Sequence, residues 1–204
     1  MSDFTQTGTV ASPLILEPIS LTDVERQCRI TDLSAEAETV EMMISAVREA
    51  AEGVTNRALI RKTQTLVLDS FPSSRNPIYF SAPPLVSVDS IVYTDAAGAE
   101  QTLDLSFYRV VTDSNPNCNR GYILPLYGLT WPVALNDSEV VTVTYTCGYL
   151  SEDVPKGIKQ WILLNVANLL ENRESVGIAY RETKFDLTES IADGLIAKYR
   201  VVRL

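Results

Sequence analysis

Residues 140–172 read VVTVTYTCGYLSEDVPKGIKQWILLNVANLLEN, and this stretch contains two hydrophobic periods in succession. From Val140 to Thr146, apolar and polar side chains alternate, which is typical of a strand with one buried face. Pro155 suits the first turn of a helix, where a missing N–H costs nothing, and Asp153 is a plausible N-cap. The run from Ile158 to Leu170 is apolar on nearly all sides, as in a helix buried on several faces. The stretch therefore joins a β-rich region to a helical one.

The β pattern extends upstream of this junction. Period-two alternation predicts strands over 63–69 and 87–93, and a turn at 95–98 followed by a return strand over 101–105 predicts a hairpin. Shorter strands are expected over 107–111 and 121–124. We expect Trp131, which is followed by proline, to pack a loop onto the sheet rather than to stack on a sugar or a base.

Helical signals lie on both sides of this region. Ser20, with Asp23 near the N3 position, predicts a capped helix from Leu21 to about Arg29. Ser34 predicts the cap of a longer helix that ends near Leu59. Its apolar face carries Val40, Met43, Ile44, Val47, Ala51 and Val54, and its polar face carries Glu41, Arg48, Glu49 and Glu52. Asp186 and Glu189 predict the start of a last helix.

These elements predict an α+β protein, a bundle of about four helices with an inserted antiparallel β-rich subdomain. The expected division is a flexible N-terminal arm at 1–15, a helical bundle formed by 16–62 and 150–204, and a β-rich insertion at 63–149. No internal repeat is visible in the sequence.

Composition restricts the functional classes. The chain has 204 residues and a net charge of −9, so tight binding of nucleic acid through lysine and arginine is not expected. We expect no signal peptide and no membrane span, since the N-terminus is not basic and no run of about 18 apolar residues occurs. Cys28, Cys118 and Cys147 are widely spaced, and we expect all three to be reduced packing residues.

The sequence offers little for catalysis. It contains no histidine, which removes the commonest general base and metal ligand. It has no nucleotide-binding glycine loop and no calcium loop, so we expect no enzyme, cofactor or metal. Carboxylate pairs such as Asp137 with Glu139, or Glu182 with Asp186, remain possible in principle, but solvated surface is the favoured interpretation.

Several motifs, taken in order, resemble one protein family. They are Glu17-Pro18-Ile19-Ser20-Leu21, Leu68-Asp69-Ser70-Phe71-Pro72, Pro84-Leu85-Val86-Ser87-Val88, Trp131-Pro132, Gly148-Tyr149, Val154-Pro155 and Asn172-Arg173-Glu174. Their order over residues 16–204 resembles the head–tail connector (adaptor) family of tailed bacteriophages, specifically its longer members with a β insertion.

The resemblance implies a structural virion protein at the head–tail junction, present in the host cytoplasm before assembly. It implies a ring of about twelve copies under the portal protein, which extends the DNA channel and provides a platform for a tail or head-completion protein. An acidic ring would let DNA pass without gripping it. We expect the portal-docking residues to be Lys198, Tyr199, Arg200, Val201, Val202, Arg203 and Leu204. We expect Ile158, Trp161, Ile162, Asn165 and Leu169 to form the core and subunit-interface face of the apolar helix.

Two alternatives remain open from the sequence. One is another virion ring component, such as a tail-completion protein. The other is a carboxylate-based glycan hydrolase, which would need two acids roughly 5–10 Å apart in a cleft.

Overall fold

The structure is a computed structural model that describes residues 16–112, 120–172 and 194–201. The chain divides into two compact units. In the described residues, the helical unit contains 16–60, 149–172 and 194–201, and the β unit contains 61–112 and 120–148. Three long helical elements, a further helical turn at 194–197 and antiparallel sheets confirm the predicted α+β class.

Three α-helices form the helical unit, α1 (Leu21–Cys28), α2 (Ala37–Thr55) and α3 (Lys156–Glu171). Short 3₁₀ turns, Ser34–Glu36 and Ser151–Asp153, precede α2 and α3. The core of the unit consists of apolar side chains from all of these elements, including Val24, Val40, Ile44, Val47, Leu59, Ile158, Ile162, Val166 and Ile196. Burying one such side chain stabilises the fold by about 1.5–3 kcal/mol, so this interior holds the helices together.

The predicted helix boundaries are partly correct. Ser20 and Asp23 form the expected reciprocal capping box at the start of α1. The prediction that Ser34 caps α2 is wrong, because Ser34 lies in a 3₁₀ turn and α2 begins at Ala37 without a side-chain cap. The helix ends at Thr55, four residues earlier than predicted, since Asn56 adopts the left-handed conformation with φ 54°.

The start of α3 also differs from the prediction. Asp153 lies in the preceding 3₁₀ turn, and the N-cap residue is Pro155, which makes no side-chain capping bond. Asp153 is therefore not the cap. No helix among the described residues is long and apolar enough to cross a membrane.

The β unit contains two antiparallel sheets. One has four strands in the order β1 (Lys62–Leu68), β7 (Val141–Cys147), β3 (Leu85–Thr94) and β4 (Glu100–Thr102). The other has three strands in the order β2 (Ile78–Tyr79), β6 (Tyr122–Pro125) and β5 (Tyr108–Val111). Strands β1, β3 and β7 confirm the period-two predictions, whereas β2 was not predicted and the return strand β4 is shorter than expected.

Strand β7 forms the centre of the larger sheet, where every second side chain is buried. Tyr145 lies on this buried face, 4.5 Å from Phe80 between ring centroids, and its hydroxyl is 2.9 Å from Oε1 of Gln64. Burial raises the pKa of the Tyr145 phenol well above its ordinary value. Tyr145 is therefore a neutral core residue with a satisfied polar end.

Candidate interaction surfaces

The residue groups considered for catalysis do not converge on a site. Asp137 and Glu139 are both exposed, and the backbone N–H of Glu139 donates to Asp69 across 2.9 Å. Glu182 and Asp186 lie outside the described residues. No group of His, Cys, Asp and Glu suited to holding a metal occurs in the parts of the chain that the structure describes. Asp137 and Glu139 thus act as surface and loop-stabilising groups.

Trp131 packs within the β unit, as predicted. Its ring is buried and stacks on Phe71, with 5.2 Å between centroids, and its Nε1 donates to the carbonyl of Asn76 across 2.9 Å. A ring that is covered on one face and hydrogen-bonded at its edge offers little surface to a ligand.

Arg48 of α2 is a correction to the sequence analysis, which placed it on the solvent face. Its side chain is buried and its guanidinium lies among three carboxylates, 2.9 Å from Glu17, 3.3 Å from Glu49 and 3.4 Å from Glu52. Glu17 precedes α1 by four residues and Glu52 accepts the backbone N–H of Leu59, so the cluster ties two other segments to α2. Tertiary pairing, rather than helical phase, decides the burial of Arg48.

The excess of acid around Arg48 has an electrostatic consequence. Burial raises the pKa of Glu17, Arg48 lowers it, and the neighbouring carboxylates of Glu52 and Glu49 raise it further. The net direction is upward from the ordinary value of 4.5. Glu17 is thus harder to ionise in the folded protein than in the unfolded chain.

The predicted portal-docking segment begins with residues that the helical unit itself holds. Val201 donates its N–H to the carbonyl of Thr55 across 2.8 Å, and Nδ2 of Asn56 donates to the Val201 carbonyl across 2.8 Å. Nε of Arg57 donates to the Tyr199 carbonyl across 2.7 Å. We refer to these contacts, made by residues 55–57 with 199 and 201, as the C-terminal clasp.

The clasp leaves the side chains of this segment in different environments. Tyr199 and Val201 are buried, and the Tyr199 ring lies against Gly157 at the start of α3. Lys198 and Arg200 are exposed. Val202, Arg203 and Leu204 lie outside the described residues. In this conformation, Lys198 and Arg200 are available to a partner, and the apolar surface of Tyr199 and Val201 is not.

The predicted interface helix α3 divides into an interior and a peripheral part. Ile158 and Ile162 are buried in the core, and Trp161 is half-buried against it. Nδ2 of Asn165 donates to the carbonyl of Trp161 across 2.8 Å, and Leu169 is exposed. The helix serves mainly the core of its own unit and presents Leu169 outward.

Two exposed apolar surfaces were not identified from the sequence. The first, which we call the loop patch, lies at one end of the three-stranded sheet and consists of Leu105, Phe107, Leu126 and Tyr127. The N–H of Leu126 donates to the Phe107 carbonyl across 3.0 Å, which holds the two loops side by side. Tyr127 is 94% exposed, the highest fraction among the exposed large apolar side chains. Arg75 extends over its ring, 5.6 Å from the centroid.

The second surface, which we call the outer face of α2, lies on the solvent side of that helix. Its members are exposed and follow helical spacing, namely Met42, Ala46, Ala50, Gly53 and Val54. Met42 is 68% exposed. The sequence analysis assigned Val54 to the core face, which is wrong because Val54 is exposed. The acidic side chains of Glu38 and Glu49 flank this face and are also exposed.

Both surfaces have features that are visible in the sequence, but hydrophobicity alone does not distinguish their residues from buried core residues. Tyr127 precedes Gly128, whose φ of 84° marks a projecting turn. Small residues at 46, 50 and 53 keep one side of α2 free of long side chains. Only accessibility in the folded state distinguishes such positions from packed ones.

Comparisons with known proteins identify the architecture. No protein-family model matches the chain, and no curated protein matches it in sequence. A chain of the neck of an empty GTA (gene transfer agent) particle computed with C6 symmetry superimposes with a TM-score of 0.71 at 22% identity, covering 99% of this chain and 97% of that chain. The fold is that of chains from gene transfer agent particles.

Two further structures show the same likeness. A chain from the virion of a native gene transfer agent particle gives a TM-score of 0.70 at 22% identity, covering 98% of this chain and 96% of that chain. A chain from the neck of a native GTA particle computed with C12 symmetry gives 0.68 at 21% identity, with 98% and 97% covered. The likeness spans both units, so the combination of a helical bundle with a β insertion is a shared architecture.

Proposed function

We propose that the chain is a structural subunit of the neck of a tailed-phage-like particle, a head–tail connector that forms a ring under the portal protein. The observation that carries this proposal is the shared fold over 99% of the chain with a particle-neck chain. A connector requires no catalytic site, and we propose that the protein is not an enzyme.

The ring part of the proposal rests on symmetry. The neck structures that share the fold were computed with C6 and C12 symmetry. A twelvefold or sixfold arrangement needs a head-to-tail contact between two different surfaces of each copy, and the contact must close. We propose a ring of about twelve copies, in which the exposed side of α3 at Leu169 lies near a neighbour.

The DNA part of the proposal rests on charge. Each copy carries a net charge of −9, and a ring repeats this charge around its axis. Phosphates are repelled by such a wall, so DNA passes without being bound. A channel wall that is predominantly basic in the assembled ring would contradict this part.

We propose that residues 198–204 dock on the portal, and the contacts of the clasp make this proposal more specific. Tyr199 and Val201 anchor the segment to its own unit, and Lys198 and Arg200 project from it. We propose that these two cations, together with Val202, Arg203 and Leu204, contact acidic and apolar groups of the portal. The clasp then sets the position from which the segment reaches its partner.

The test is to measure mass in solution, by light scattering, for the protein alone and with purified portal protein, and to image the complex. We expect rings on the portal and loss of binding in the double variant Lys198→Glu with Arg200→Glu. The matched control, Arg26→Glu with Arg61→Glu, changes the net charge equally at exposed positions that make none of the clasp contacts. Equal binding of the portal by both variants would exclude residues 198–204 as the docking segment. An absence of any ring or portal complex would exclude the connector function.

A further inference from the structure

The loop patch and the outer face of α2 are exposed, apolar and unused by the clasp or the helical core. They belong to different units of the chain and differ in charge. We propose that the loop patch of one copy packs on the outer face of α2 of the next copy, which makes this pair the head-to-tail contact of the ring. The inference rests on the proposed function, since it names the surfaces by which the ring closes.

The shapes of the two surfaces are complementary. Tyr127 lies in a turn and is 94% exposed, and Arg75 extends over its ring, so it presents a large aromatic group to a partner. On α2, positions 46, 50 and 53 carry nothing beyond a β-carbon. A β-carbon added at Gly53 would meet no atom within 4 Å, so this side of the helix is open there. Met42 and Val54 lie at its two ends. Buried aromatic side chains are often the energetic centre of a protein interface.

The charges of the two surfaces are also complementary. Arg75 accompanies Tyr127 and donates to the carbonyl of Pro125 across 3.1 Å, and it makes no ion pair within residues 61–112 and 120–148. Glu38 and Glu49 flank the outer face of α2, and Glu49 also pairs with Arg48 across 3.3 Å. Because copies with a net charge of −9 repel one another, a stable contact needs local attraction of this kind.

The same features argue against contact between two identical patches. Two loop patches facing each other would bring Arg75 against Arg75, and two outer faces of α2 would oppose their glutamates. Like charges placed directly opposite cost several kcal/mol across an interface. The favourable pairing joins one surface to the other, which is the heterologous geometry that generates a ring when the rotation closes.

The first test uses cross-linking between copies. Protein carrying Tyr127→Cys is mixed with protein carrying Ala50→Cys, at concentrations where the wild type forms rings on the portal, and then treated with a thiol-specific cross-linker about as long as a tyrosine side chain. We expect a cross-linked dimer in the mixture and not in either protein alone. Val133→Cys, an exposed position of the β unit, replaces Tyr127→Cys in the control and should give no such product with Ala50→Cys. Rings without the Tyr127–Ala50 cross-link would overturn the inference.

The second test uses assembly strength. We expect Tyr127→Ser and Ala50→Arg each to raise the concentration for half-maximal ring formation about tenfold or more. The first removes the aromatic ring, and the second places a long charged side chain where the ring would pack. Val133→Ser should leave it unchanged. Arg75→Glu should weaken assembly, and adding Glu38→Lys should restore it.

The outcomes separate the two proposals. Wild-type protein that forms no ring with the portal would overturn both. Rings that form normally with Tyr127→Ser, in protein whose circular dichroism matches the wild type, would overturn the inference and leave the connector function standing. The same holds if that variant forms rings but loses binding of the portal or of a tail protein, since the loop patch would then serve that partner.

Discussion

The helical unit buries two arginine side chains in opposite ways. Arg48 has three carboxylates within 3.4 Å. Arg57 is 2% exposed, and its described partners are neutral, namely the carbonyl of Tyr199 and the hydroxyl of Tyr149. Its Nη2 has no hydrogen-bond partner among the described residues. One arginine therefore lies in an excess of negative charge, and the other has no carboxylate partner among the described residues.

The difference shows how each arginine is used. A buried ion pair is strongly destabilising when only one partner is removed, because the remaining charge is left in a low dielectric. Arg48 therefore acts as a cross-link whose loss affects the whole unit. Arg57 orients a backbone carbonyl of the C-terminal segment, and its loss should act locally on the clasp. Four predictions test this contrast.

The largest effect is expected from Arg48→Met. The substitution keeps the volume but leaves Glu17 and Glu52 partly buried without a cation, so we expect unfolding in urea to show a loss of about 3–5 kcal/mol. Adding Glu17→Gln and Glu52→Gln should recover part of this loss, because the stranded charges disappear. A loss below about 1 kcal/mol would mean that the cluster behaves as a solvated surface pair.

A smaller and more local effect is expected from Arg57→Met. Two hydrogen bonds are lost, yet no acid in the described part of the chain is stranded, so we expect a loss of about 2 kcal/mol. Amide exchange of Val201, whose N–H donates to Thr55, should accelerate more than that of the α1 and α3 core amides. Uniform acceleration across the helical unit would contradict a local role.

Two variants of Asn56 separate the contribution of its backbone conformation from that of its side-chain hydrogen bond. Asn56→Ala should cost about 1–2 kcal/mol, because it loses the bond to Val201 and replaces asparagine by a residue that tolerates the left-handed region less well. Asn56→Gly loses the same bond but adopts positive φ freely, so its cost should be lower by about 1 kcal/mol. Equal losses in urea unfolding would show that the left-handed conformation at position 56 carries no strain.

The smallest effect is a change in pH dependence from Glu17→Gln. Because the folded-state pKa of Glu17 is raised above 4.5, the folded protein binds this proton more tightly than the unfolded chain does. The contribution of Glu17 to stability is therefore greatest below 4.5 and declines as pH rises through the raised pKa. Glu17→Gln should remove this decline, a difference of less than about 1 kcal/mol after solvent screening. Unfolding measured at intervals from pH 4 to 7 would contradict the assignment if both proteins changed in parallel.

Much of the secondary structure was predictable because its causes are local. Alternation over 140–146 identified the central strand β7, and the Ser20–Asp23 pair identified the start of α1. Both depend on neighbours two to four residues apart in sequence. Ser34, Asp153 and the end of α2 were predicted wrongly, since several residues in a row can cap or stop a helix and packing selects among them.

The candidate surfaces also divide into those that were predicted from the sequence and those that were missed. Residues 198–204 and the α3 face were named from the sequence, and their roles stay predictions. The loop patch and the outer face of α2 were missed, since an exposed tyrosine or methionine has the same hydrophobicity as a buried one. Accessibility depends on which elements meet, and residues far apart in sequence decide that.

The sequence by itself determined the α+β composition, the periodicity of the principal strands and helices, the net charge of −9 and the lack of histidine. Only the tertiary structure decided that Arg48 is buried and that Tyr199 and Val201 are held by residues 55–57. The physical reason is the distance along the sequence over which each interaction acts. Propensity, capping and periodicity act within a few residues, whereas Glu17 reaches Arg48 across 31 positions and Arg57 reaches Tyr199 across 142.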